Sequence, residues 1–247
     1  MIGLSLFSGI GGLDLAAEAA GIEITAFCEI EPFCQKILQK QWPHIHIHPD
    51  VREIRGDDFG AIDIIYGGFP CQPVSIAGKQ RKEDDSRWLW PEFARIIAEV
   101  KPAWVLAENV ENAVRTVLNS VLVDLENLGY EAGAYCTQAY CSGAWFAGAR
   151  IFIVAASNDR CPSLRWNAQF STNAASQGRR GNYGRRTPVF DSGERWKKQP
   201  RPIGVADGVS ARLDRLRALG NAVVPPQVYP FFRAIALLDA LAKQEVA

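Results

Sequence analysis

The 247-residue chain has little of what marks several protein classes. It holds only three histidines, all in the run His44-Ile-His46-Ile-His48, so any mechanism needing a histidine base must draw it from there. None of its six cysteines (Cys28, Cys34, Cys71, Cys136, Cys141 and Cys161) forms a Cys-x-x-Cys pair, which leaves neither a zinc ribbon nor a thioredoxin motif. No run of roughly twenty apolar residues is present to span a bilayer. No charged, cleavable leader precedes the first apolar run, Ile2 to Phe7, so a cytoplasmic location is the expectation. Structural disulfides are not expected there, and most of the cysteines read as small buried filler. The alternating histidines suit a short strand or loop with side chains on one face better than a metal site, and no metal is expected.

Formal net charge is zero, which at first argues against nucleic acid. The charge is unevenly placed, however. Between Arg160 and Arg201 ten Lys or Arg stand against two acids, Asp191 and Glu194, a local charge of +8 on a body that must carry −8. A basic module on an acidic body is what phosphate contact requires, although a solvated basic loop has the same composition.

Three regions separate along the chain. In residues 1–158 apolar strand-like runs alternate with amphipathic helix-like runs, as in a parallel sheet with crossover helices. Expected strands are Gly3–Phe7, Ile22–Phe27, Ile45–His48, Ile62–Tyr66, Trp104–Ala107, Gly133–Gln138 and Ile151–Ala155. Expected helices are Leu13–Ala20, Pro32–Lys40, Pro91–Val100 and Glu111–Leu128. Residues 159–207 lose the apolar period and are rich in Arg, Gly, Asn, Ser and Pro; that stretch is too long for an ordinary connection. In residues 208–247 periodicity returns, with a helix expected after Pro225–Pro226 and running toward Ala242.

The chemistry-bearing residues collect at strand ends. The first strand runs into Phe7-Ser-Gly9-Ile10-Gly-Gly12 ahead of a helix, a turn whose free amides suit a nucleotide-like ligand. The second ends at Glu29, a carboxylate able to accept from both ribose hydroxyls, and the third near Asp50, suited to an adenine amino group. Such spacing points to an adenosine cofactor without separating NAD from S-adenosylmethionine (AdoMet). The fourth strand leads into Phe69-Pro70-Cys71-Gln72-Pro73. A lone cysteine is more often packing than nucleophile, but this one follows an apolar strand in a Gly- and Pro-shaped turn, where open α/β sheets bind ligands. The fifth strand delivers Glu108 and Asn109 to the same edge, although Glu108 also suits the start of the helix that follows. A later strand begins at Arg150 and can bring a guanidinium to the pocket.

Four motifs in order, FSGIGG, FPCQP, ENV (Glu108–Val110) and LGNAVVP (Leu219–Pro225), resemble the cytosine-5 DNA methyltransferase family over roughly Met1–Asn158 and Gly208–Leu241. The resemblance implies a doubly wound, mostly parallel, Rossmann-like AdoMet-methyltransferase sheet with a small irregular target-recognition insertion. The C-terminal helix would return to pack beside the first. It implies that Cys71 attacks carbon-6 of a flipped-out cytosine, that Glu108 hydrogen-bonds or protonates ring nitrogen-3, and that Arg150 holds the carbonyl oxygen. For AdoMet it implies stacking near the adenine by Phe7, turn contacts from Gly9, Ile10 and Gly12, ribose binding by Glu29 beside Ile30, and the adenine edge at Asp50 and Val51. Pro70, Leu89, Asn221 and Val223 would line the methionine end. Ser75–Arg87 resembles the family's mobile loop, and residues 159–207 stand where the target-recognition region is kept.

Two stretches depart from the family pattern. Where Gln-x-Arg-x-Arg is usual the chain has Phe146-Ala-Gly148-Ala-Arg150, which keeps only the last arginine. The usual Arg-x-Leu-Thr-x-x-Glu has no counterpart before GNAVVP, so the recognition region is expected to be small or differently anchored. The expected partner is double-stranded DNA and the expected state monomeric, without a membrane. A tRNA cytosine methyltransferase of the same superfamily is the nearest alternative. A nicotinamide oxidoreductase leaves FPCQP and ENV unexplained, and a non-enzymatic DNA-binding relative leaves Cys71 and Glu108 unexplained.

Overall fold

A computed structural model describes residues 1–70, 88–144, 146–159 and 212–245. Cys71, the Ser75–Arg87 loop and the basic window Arg160–Arg201 lie outside the described residues. The chain order is β1 (Ile2–Leu6), α1 (Gly12–Ala19), β2 (Glu23–Cys28), α2 (Pro32–Gln41), β3 (His46–His48), β4 (Ile64–Gly68), α3 (Trp90–Val100), β5 (Trp104–Val110), α4 (Glu111–Asn127), β6 (Tyr130–Thr137), β7 (Arg150–Ser157), α5 (Arg212–Asn221) and α6 (Pro225–Glu245).

The strands form one seven-stranded sheet in the order β3-β2-β1-β4-β5-β7-β6. Neighbours from β3 through β5 are parallel, whereas β7 runs antiparallel to both β5 and β6. The strand order reverses between β1 and β4, so the loops leaving these two strands diverge and open a crevice at the carboxyl edge. Because β7 is reversed, its first residue, Arg150, lies at that same edge, opposite Val110 of β5.

Both faces of the sheet are covered, so its central strands read as continuous apolar runs. Along β5, Val105 and Ala107 join a core with Phe93, Ile96 and Ile97 of α3 and Val121 and Leu125 of α4. The alternate residues Trp104 and Leu106 join a second core with Leu13, Ala16 and Ala17 of α1 and Val228, Phe232 and Ile235 of α6. The C-terminal helix therefore packs beside the first. The segment leading into α6 lies so close to the start of α1 that a Cβ on Gly12 would meet the Val223 carbonyl oxygen at 2.6 Å.

Several boundaries differ from the sequence expectation for physical reasons. β4 runs two residues further, because Gly67 and Gly68 pair with Ala107 and Glu108. β6 starts at Tyr130, which pairs with Ser157 and whose hydroxyl donates to the Pro102 carbonyl at 2.8 Å. α6 begins at Pro225 rather than after the pair, since prolines in a first helical turn lack only amides that have no intrahelical partner. α5 has no counterpart among the expected helices; its sequence, RLDRLRALGN, is too polar to show an apolar face. Among the described residues no helix is long and apolar enough to cross a membrane. His46 and His48 share one face of β3, their rings edge-on with centroids 4.4 Å apart.

Candidate active site

The crevice is built from the ends of β1, β2, β3, β4 and β5 and the start of β7. After β1 the backbone turns at once. Phe7 is left-handed, with φ 53°, and Gly9 and Gly11 follow at 57° and 86°. A bulky residue in that region is strained, and the cost is borne because Phe7 stacks on Phe93 of α3 with ring centroids 6.1 Å apart. The turn is held from both sides. Ser8 donates its amide to the Cys28 carbonyl at 3.1 Å, and Gly11 donates to the Ser8 carbonyl at 3.0 Å.

Glu29 secures the same turn from β2. Its carboxylate accepts from the Gly9 amide at 2.6 Å and from the Glu31 amide at 2.8 Å, one bond on each oxygen. It is buried, and desolvation raises its pKa above the usual value against the lowering effect of those amides. Glu29 is thus part of the fold as well as of the crevice. Asp50 is held by Arg52, whose Nη2 lies 2.6 Å from Asp50 Oδ2, and that bonding keeps Asp50 below the usual carboxylate range.

The far wall carries the pair that the reversed strand makes possible. Arg150 Nε approaches Glu108 Oε1 to 2.9 Å with both side chains largely buried. The contact is ionic without a directed hydrogen bond: Glu108 Oε1 is fully buried and has no hydrogen-bond partner among the described residues. Burial raises the Glu108 pKa from 4.5 to about 7, with Arg150 opposing the rise. A carboxyl titrating there is available as a proton donor at neutral pH. Beside it, Asn109 Nδ2 donates to the Phe69 carbonyl at 3.1 Å, and Asn109 Oδ1 accepts from the Val110 amide at 2.8 Å. Asn109 therefore ties β5 to the Phe69-Pro70 turn that leads into Cys71.

Comparison with known proteins decides the family. The family model described as C-5 cytosine-specific DNA methylase matches residues 1–192. The chain belongs to that family. A Type II methyltransferase of Neisseria gonorrhoeae, M.NgoMIV, is 33% identical over 168 residues, which cover 66% of this chain and 54% of that protein. M.Eco47II, a Type II methyltransferase of Escherichia coli, is 32% identical over 178 residues, covering 69% of this chain and 43% of its own length. The chain thus spans about half the length of the curated relatives it matches. The crystal structure of a Spodoptera frugiperda DNMT2 variant superimposes with a TM-score of 0.57 at 22% identity, covering 67% of this chain and 51% of that one, a likeness of fold.

In this family member the crevice is a cavity of about 550 Å³. Phe7, Gly9, Ile10, Gly12, Glu29 and Ile30 line it from the β1 and β2 ends. Asp50, Val51, Pro70 and Leu89 line it from β3, β4 and the approach to α3, Asn221 from the end of α5, and Val223 from the segment between α5 and α6. Glu108 and Arg150 stand in the same wall, and Cys71 lies outside the described residues. Sequence reasoning missed Phe33 and Cys34 of α2, Arg52, and Asp214 and Ala218 of α5, which also face the cavity. Nothing in the sequence marked α5 as a wall, because its place depends on tertiary docking. Apart from the Glu108–Arg150 pair, four acids (Glu29, Glu31, Asp50 and Asp214) stand against one cation, Arg52, among the described lining residues.

Proposed function

We propose that this chain transfers a methyl group from AdoMet to carbon-5 of cytosine in DNA, with Cys71 as nucleophile and Glu108 and Arg150 gripping the base. The observation that carries the reading is the buried Glu108, ion-paired to Arg150 and with an oxygen that has no hydrogen-bond partner among the described residues. A flat ring offering an acceptor nitrogen beside a carbonyl, as cytosine does at nitrogen-3 and oxygen-2, complements a protonated carboxyl beside a guanidinium.

The cavity's charge supports the cofactor. AdoMet supplies, when bound, an electrophilic methyl group on a cationic sulfonium. Among the described lining residues, four acids against one cation besides the Glu108–Arg150 pair suit a cationic ligand and disfavour the pyrophosphate of a dinucleotide. Each Glu29 oxygen accepts one amide and keeps a lone pair for a ribose hydroxyl. Asp50 and Val51 are assigned the adenine edge, with Phe7 and Ile30 as apolar cover beside the Gly9-Ile10-Gly12 turn. Pro70, Leu89, Asn221 and Val223 are assigned the methionine end.

On the base, the Cys71 thiolate adds to carbon-6, forming a C–S bond and moving the electrons of the 5,6 double bond toward carbon-5. Glu108 gives a hydrogen bond or its proton to nitrogen-3, and Arg150 holds the carbonyl oxygen, so negative charge developing in the ring is met on one edge. Once carbon-5 carries its methyl group, loss of its proton re-forms the double bond and expels the thiolate. The basic window Arg160–Arg201 is assigned to the DNA backbone and the bases beside the flipped cytosine.

Duplex DNA carrying 5-fluorocytosine in a methylated site tests this reading. Fluorine cannot leave as a cation, so a covalent adduct should accumulate with the wild-type protein and AdoMet and be absent from Cys71→Ala. An adduct that persists in Cys71→Ala would remove Cys71 as nucleophile. Label from AdoMet entering RNA while duplex DNA stays unlabelled would replace DNA as the substrate.

A further inference from the structure

Gln227, in the first turn of α6, lies outside the cavity, yet it joins two segments on either side of Arg150. The residue is 3% exposed. Nε2 donates to the Thr137 carbonyl at 3.0 Å and to the Gly148 carbonyl at 3.0 Å, with Thr137 Oγ1 at 3.2 Å sharing one of those hydrogens. A carboxamide has two N–H groups, so both are committed. Thr137 is the β6 residue directly opposite Arg150, and Gly148 precedes Arg150 by two positions. The amide therefore grips the backbone across from Arg150 and the backbone leading into it.

The guanidinium has little else among the described residues to fix it apart from Glu108. Its contacts to the Gly220 and Ala222 carbonyls are 3.4 and 3.5 Å, long for hydrogen bonds of use in positioning. Neither Phe146 nor Gly148 offers a polar side chain on the approach to β7. Where the guanidinium sits is thus set mainly by where the backbone delivers Arg150; that backbone is paired with β5 and β6 at Val110 and Thr137, and the buried Gln227 amide ties Thr137 and the approach through Gly148 to α6.

We infer that Gln227 is a positioning residue for the base pocket: by tying Thr137 and Gly148 to α6 it sets the position of Arg150 against Glu108. The inference rests on the function proposed above for that pair, and it connects the C-terminal helix, whose leading segment packs on the start of α1 where Val223 meets Gly12, to the opposite wall of the same cavity.

Gln227→Met keeps the side chain's length and removes its donors; Gln227→Asn keeps the donors one methylene short of their two carbonyls. Both would be compared with wild type in 5-fluorocytosine trapping at saturating AdoMet, and in the titration of the Glu108 carboxyl by NMR without DNA or AdoMet. Displacement of a catalytic cation by a fraction of an ångström is expected to slow trapping about tenfold or more in Gln227→Met and less in Gln227→Asn. The Glu108 titration should move upward as the guanidinium withdraws, while AdoMet affinity, measured by calorimetry, stays at the wild-type value. A purely structural role would lower melting temperature and leave the Glu108 titration of the folded protein in place. Unchanged trapping together with an unchanged titration overturns the inference. If wild type itself formed no adduct, the proposed function would fail while the titration still decided the role of Gln227. If Gln227→Met did not fold, Gln227→Asn would carry both measurements.

Discussion

Glu108 and Arg150 meet at 2.9 Å only because they stand near the end of one strand and at the start of its antiparallel neighbour. Burial outweighs the attraction: the carboxyl is pushed up to about 7 despite the cation beside it. A second buried acid, Asp14 of α1, is raised to about 6, although it accepts a hydrogen bond from Tyr66 at 2.9 Å. Both groups are bound more favourably as neutral acids.

That sign fixes a pH dependence. Stability from a raised carboxyl is fully present below its unfolded value and is lost as pH rises through its folded value. For Glu108 and Asp14 the window runs from about 4 to about 7. At about 1.4 kcal/mol per pKa unit the loss is on the order of 3 kcal/mol for each group. Melting temperature should therefore fall between pH 5 and pH 8, and less steeply in Glu108→Gln. A flat melting profile over that range would contradict the burial argument. The trapping rate, if it needs the Glu108 proton, should also decline above about pH 7.

Glu29→Ala should act twice. AdoMet binding should weaken by roughly 1–3 kcal/mol as the ribose hydroxyls lose a charged acceptor. The protein should also melt earlier, because the Gly9 and Glu31 amides lose their partner. Calorimetry that found AdoMet affinity unchanged would take Glu29 out of the site, whatever happened to the melting temperature.

Two adjacent glycines predict opposite phenotypes. A Cβ on Gly67 would strike the Leu6 carbonyl, backbone against backbone between β1 and β4. Gly67→Ala should cost stability on the order of 1–3 kcal/mol. A Cβ on Gly68 would meet Glu108 Oε2 at 2.6 Å, the movable end of a side chain. Gly68→Ala should melt close to wild type and lose trapping activity, because the carboxyl is pushed off the base. Equal melting losses for the two would show that Glu108 is not free to move.

The basic window makes the last prediction. Replacing Arg179, Arg180, Arg185 and Arg186 with alanine should weaken DNA binding and flatten its dependence on salt. The slope of log affinity against log salt should drop by up to about 0.9 for each phosphate no longer neutralised. AdoMet affinity should hardly change. A quadruple variant with the wild-type slope would make the window a solvated loop and move recognition elsewhere.

Much of the candidate site's lining was legible before any fold, because it consists of short local patterns that backbone geometry imposes. A tight turn after a strand needs Gly9 and Gly11 at positive φ, and acids at successive strand ends, Glu29 and Asp50, fall on one edge of a parallel sheet whatever surrounds it. Alternation along β5 likewise told which residues are buried, though not against what. Other features exist only in three dimensions. α5 is too polar to announce itself, and it forms a wall of the cavity through Asp214 and Ala218. The pKa of Glu108 depends on desolvation, which is a property of the assembled wall rather than of the residue. The grip of Gln227 on Thr137 and Gly148 spans 90 and 79 residues of chain. The sequence determined which chemical groups stand at the sheet's edge; tertiary packing, by reversing β7 and returning α6 beside α1, decided which of them meet and in what protonation state.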